Sequence, residues 1–181
     1  MREHPRPSNW IVCGLALLAA AGCSPAPEAW TPVPQESSTT FLDSEVETAA
    51  AHVRSARSAL PADPEGAAAE LAGAEEALTR LLGYYLPLLD ARGRAYDAYR
   101  HYRMGRTRET ERELAEIEKI LIRVAGGGGE TLLREMEAPL EKLGDARAAL
   151  ASGADEAGED LEALASRLHF LLVRGGLVLG R

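Results

Sequence analysis

What this 181-residue sequence lacks excludes most chemistry before any fold is considered. It has two cysteines, Cys13 and Cys23, so no Cys-x-x-Cys pair exists for zinc or haem. Its four histidines are His4, His52, His101 and His169, and none has a glutamate three residues earlier. No His-Glu-x-x-His occurs either, which removes the di-iron bundle and the zinc protease. Ser55, Ser58, Ser152 and Ser166 sit in no Gly-x-Ser-x-Gly elbow. The Gly126 to Gly129 run lacks the Lys-Ser/Thr of a phosphate loop and reads as a linker. The residues therefore point away from an enzyme, and they call for no cofactor and no metal. The net charge of −8 makes no electrostatic case for nucleic acid. Aromatics are only 5%, and no apolar run reaches the ~20 residues of a membrane-spanning helix.

What is present begins with Arg2 and Arg6, followed by an apolar run from Ile11 to Ala21 and then Ala20-Ala21-Gly22-Cys23. A short apolar core ending in small residues fits a secretory signal peptide. Cutting before Cys23 would remove Cys13 and leave one cysteine, at the first position of a chain of charge −9, with no partner for an internal disulfide. This pattern resembles the lipobox of bacterial lipoproteins, with Ala20 where leucine is usual. The resemblance implies lipid on Cys23 and attachment to a membrane, and several acyl chains make a stable anchor. Ser24, where an aspartate would imply inner-membrane retention, implies the periplasmic face of the outer membrane.

The expected organisation is a signal peptide over 1–22, a lipidated Cys23 with a Pro/Ser/Thr-rich tether over 23–40, a helical domain over 41–175 and a tail over 176–181. Ser44 and Glu47 form a capping box ahead of a stripe of Leu42, Val46, Ala49, Val53, Ala56 and Leu60. Asp63-Pro64 opens a second helix with a stripe of Leu71, Ala74, Leu78, Leu81 and Tyr85. Pro87 predicts a kink or break. A third helix ends at Gly105, and Thr107 or Thr110 caps a fourth with Leu114, Ile117, Leu121 and Val124 on one face. Further helices are expected over 130–143, interrupted near Pro139, then over 145–151 and 155–173. No stretch sustains strand alternation. The fold class is all-α.

Residues 56–82 and 146–172 align without a gap, matching at nine positions that include Leu71/Leu161, Leu78/Leu168, Leu81/Leu171 and Leu82/Leu172. A more diverged copy runs from Asp90 to Ile122. The pattern is an antiparallel helical hairpin, repeated and packed as a bundle or short solenoid. Two Ala/Leu-rich helices can also match by composition alone. Leu86-Pro87-Leu88 with Ala91, Ala95, Gly105, Leu114 and Leu121, and Ala138-Pro139-Leu140 with Ala146, Gly153, Ala157 and Leu161, are similar to the YfdX-like family of periplasmic helical proteins. That resemblance implies a helical protein with a stress-related or ligand-binding role and no catalytic residues.

One segment departs from the acidic background. Arg92, Arg94, Arg100, Arg103, Arg106 and Arg108 face a single acid, Asp97, and Tyr96, Tyr99 and Tyr102 are interleaved. Arginine and tyrosine together can grip anions by paired hydrogen bonds and stacking. The expected partner is an anionic lipid, peptidoglycan or an acidic patch on an envelope protein. The plainer alternative pairs these arginines with neighbouring acids and buries the tyrosines. Two other readings stay open: a ligand-binding bundle lined by Tyr84, Tyr85, Tyr99 and Phe170, and an accessory lipoprotein of an outer-membrane or secretion assembly.

Overall fold

The computed structural model describes residues 37–179, and the expectations for the signal peptide, Cys23 and most of the tether lie outside them. Six α-helices follow in order: α1 (Ser37–Ala59), α2 (Pro64–Arg80), α3 (Leu86–Arg103), α4 (Thr107–Gly127), α5 (Gly129–Ser152) and α6 (Ala157–Val178). The protein is all-α. Among the described residues no helix is long and apolar enough to cross a membrane.

Each boundary has a local cause. Helix α1 starts at Ser37, so the expected Ser44/Glu47 capping box lies inside the helix and not at its start. Phe41 stacks on Tyr85 with ring centroids 6.3 Å apart and planes 2° from parallel. Asp63 caps α2 as its sequence predicts, its carboxylate accepting from the Gly66 N–H at 2.9 Å with Pro64 beside it. Gly105 and Gly153 end α3 and α5 with φ of 69° and 70°, the left-handed backbone that glycine adopts without steric cost.

Pro87 neither breaks nor ends its helix. The turn before it, Leu81–Tyr85, widens into a π-helix, and the Leu86 N–H reaches back to the Leu81 carbonyl. A wider turn moves the carbonyl that a proline ring would otherwise strike. The chain thus runs helically from Pro64 to Arg103, 40 residues and about 60 Å at 1.5 Å per residue. Pro139 likewise leaves α5 uninterrupted, and the helices expected over 130–143 and 145–151 are one. Its ring is itself buried, so packing offsets the lost backbone hydrogen bond. Helix α6 extends to Val178, beyond the 175 boundary, with Val178 buried.

The long helix divides the molecule. Its second half, α3, forms a four-helix bundle with α4, α5 and α6, neighbours packing around a square. Leu88, Leu114, Ile117, Leu121, Met136, Leu161, Leu164 and Leu168 fill its centre, each fully buried. Burial of one such leucine stabilises the fold by ~1.5–3 kcal/mol. Its first half, α2, pairs with α1 as a two-helix arm that reaches α6 only near the π turn.

The arm has a seam of small residues: Ala49, Ala56, Ala67, Ala74 and Ala77. Gly73 lets α2 approach so closely that an added Cβ would stand 2.8 Å from His52 Cε1. Glu45 is buried beside Arg80, whose Nη2 lies 3.3 Å from Glu45 Oε2. This close seam overturns part of the expected stripes. Leu71 and Leu78 stand 52% and 45% exposed, as do Val46 and Val53 at 51% and 49%. Alanine at the seam brings the helices together, and the larger aliphatics are pushed to the flank. In the matched second copy, Leu161 and Leu168 are fully buried by the bundle.

Candidate functional site

The segment from Arg92 to Arg108 spans α3, the turn at Gly105 and the start of α4. Its inner part is scaffold. Arg94 Nη1 donates to Glu113 Oε2 at 2.8 Å, and its Nε lies 3.2 Å from Asp90 Oδ1. Arg100 pairs with Asp97 on the same helix. Arg92 Nη1 lies 3.0 Å from His169 Nδ1 on α6, and its guanidinium sits 6.0 Å from the centre of the Tyr96 ring.

The Arg92–His169 contact fixes a protonation state. Arginine only donates, so His169 Nδ1 must accept, and the imidazole is neutral with its proton on Nε2. Burial and the adjacent Arg92 charge both lower the His169 pKa from its ordinary value. The expected surface loses its tyrosines. Tyr99 is buried in the core. Tyr102 lies against α6, its Cε1 being 3.2 Å from where a Cβ on Gly158 would stand. Tyr96 is half-buried under Arg92.

The outer part differs. Arg103, Arg106 and Arg108 are exposed at the α3–α4 turn, and none has an ion-pair partner among the described residues. Met104 stands exposed between them. Sequence reasoning does not single out Met104, whose position beside Gly105 is the available signal for an exposed turn. The local electrostatics are uneven. Arg103 lies in the last turn of α3, where a helix favours cations. Arg106 and Arg108 flank the start of α4, where a cation costs ~0.3–1 kcal/mol. Thr107 and Thr110 provide no side-chain cap there. Thr110 is buried and donates back to the Arg106 carbonyl at 3.0 Å.

The aromatic ligand pocket does not assemble. Tyr84 and Tyr85 are fully buried, edge to face at 5.2 Å, and the Tyr84 hydroxyl donates to the Leu171 carbonyl at 2.8 Å. Burial, with Tyr85 beside it, pushes the Tyr84 phenol well above its ordinary range. Phe170 is half-exposed beneath the Arg174 guanidinium. The histidines also stay apart: His52 Nδ1 meets Glu70 Oε2 at 2.7 Å, and His101 lies on α3. Among the described residues no three metal-ligating side chains gather. Compared with protein-family models, curated proteins and solved structures, the chain matches none.

Proposed function

We propose that this chain is a lipid-anchored envelope protein that works by binding, and that the α3–α4 tip is its contact with an anionic phospholipid surface. The observation that carries this reading is the pair Arg106 and Arg108 at the start of α4. They are exposed, unpaired among the described residues and placed where the helix dipole opposes them. Exposed charges that cost local stability and gain no ion pair are expected at sites of function. Met104 adds an apolar side chain that can enter the headgroup boundary while arginines hold phosphates. The Cys23 lipid would keep the tip near such a surface.

Vesicle flotation tests the tip. Prepared without residues 1–23, and so without lipid, the chain should bind phosphatidylglycerol vesicles, and Arg103→Glu, Arg106→Glu and Arg108→Glu together should abolish that binding while keeping the helical spectrum. Wild-type binding should also weaken with salt, since screening shortens the reach of exposed charges. Equal binding to phosphatidylcholine vesicles, or retention by peptidoglycan instead, would reject the phospholipid reading. Labelled palmitate tests the anchor separately: incorporation should be lost in Cys23→Ser.

A further inference from the structure

The arm leaves one side apolar and open. On α1 the inward seam runs through Glu45, Ala49, His52 and Ala56, and Val46 and Val53 each follow a seam residue by one position, turned about 100° from it. On α2 the seam runs through Ala67, Glu70, Ala74 and Ala77, and Leu71 and Leu78 flank it in the same sense. In an antiparallel pair these two flanks lie on the same side. The pairing of Glu45 with Arg80, and of His52 with Gly73, sets Val46 beside Leu78 and Val53 beside Leu71.

The charges on the outer face of α1, turned away from α2, have an order. Asp43 and Glu47 come first, Ala50 and Ala51 lie in the middle, and Arg54 and Arg57 come last. All four charged residues are exposed, and none has an ion-pair partner among the described residues. Turned end for end and laid on itself, the helix sets Asp43 against Arg57 and Glu47 against Arg54. Val46 then meets Val53 about a midpoint at Ala50. A shallow concavity lined by Ser44, Val46, Glu47, Thr48, Ala50, Ala51 and Arg54 lies beside that midpoint. Acid-first order also suits the helix dipole, but the dipole does not require an aliphatic stripe between the charges.

We propose that two copies of this chain associate through α1 of the arm, laid antiparallel across a two-fold axis near Ala50. A two-fold interface must be complementary to itself, and this surface is. Helix α1 is ~34 Å long and one helix wide, a footprint of roughly 350 Å², below the ~800 Å² per partner of a standard interface, so the charges must select the partner.

Charge exchange tests the proposal on the full chain by sedimentation in mild detergent. Variant one carries Asp43→Arg and Glu47→Arg, and variant two carries Arg54→Glu and Arg57→Glu. Wild type should be a dimer, and each variant alone should dimerise at least ~100-fold more weakly, since its facing charges repel. Mixed, the two variants should recover the dimer, which also shows that both are folded. Ala50→Cys should give a 50–50′ disulfide identified in the digested peptide, while Ser58→Cys, about 12 Å along α1 from the axis and so about 24 Å from its copy, should not. A monomeric wild type overturns the proposal, as does a mixture that fails to recover or a dimer indifferent to all four charge changes. Crosslinks from Val46 to residues 1–36 of the same chain would do so too.

Discussion

The Tyr84 hydroxyl donates to the carbonyl of Leu171 across 2.8 Å, tying the π turn of the long helix to the interior of α6. The bond sits where arm and bundle meet, so it holds a junction rather than a core centre. Tyr84→Phe keeps the ring and removes the bond. The Leu171 carbonyl keeps its own helix, so the loss should be about 0.5–1.5 kcal/mol, measured by urea unfolding.

Gly175 faces Tyr85 at the same junction, where an added Cβ would stand 2.6 Å from Tyr85 Cε1. That ring is held between Phe41 and Tyr84 and has no room to retreat. Gly175→Ala gains ~1 kcal/mol of helix propensity, yet overpacking costs ~1–3 kcal/mol. A net loss of stability is expected, and Tyr85→Leu in the same chain should relieve it. Thermal unfolding of the single and double variants decides.

The matched leucines should behave unequally. Leu168→Ala opens a buried cavity and should cost ~2–5 kcal/mol. Leu78→Ala, half-exposed on the arm, should cost under ~1 kcal/mol. Equal costs in denaturant titrations would show that the arm flank is covered within the monomer.

His169 gives a pH dependence with a definite sign. Burial and Arg92 favour its neutral form, so its folded pKa lies below the ordinary 6.5. The unfolded chain therefore takes up this proton first as pH falls. Its contribution to stability is complete above pH 6.5 and declines on acidification toward the folded value. His169→Gln can still accept from Arg92 and should flatten that decline. The check is the difference between wild-type and variant urea midpoints at pH 7 and pH 5.

The helices of the bundle were legible because α4 and α6 carry apolar residues at most of their inward positions, and Leu114, Ile117, Leu121, Val124 and Leu168 are all buried. The arm is harder to read. Its α1 carries two stripes one residue apart, and periodicity alone weaves Ala49 and Ala56 of the inner together with Val46, Val53 and Leu60 of the outer. Hydrophobicity ranks valine above alanine for the inside, yet close helix approach selects the smaller side chain. Proline misleads for a related reason. Pro87 and Pro139 look like breaks because local sterics forbid them in a regular helix, while a wider turn or a buried ring absorbs each. In the arginine segment charge is visible, but pairing is not. Glu113 and His169, the partners of Arg94 and Arg92, come from α4 and α6.

The unbroken run from Pro64 to Arg103 makes the chain a ruler with a different mark at each end. The midpoint of α1, opposite residue 75 or so of α2, lies about 42 Å along the helix from Arg103 at 1.5 Å per residue. Two copies joined across the two-fold axis at Ala50 would hold their cationic tips roughly 80 Å apart and facing opposite ways. A spacing written into one continuous helix changes by single steps of 1.5 Å and 100° with each residue inserted between arm and bundle. The reach of the pair would then be set by the length of that helix and would not depend on any side chain.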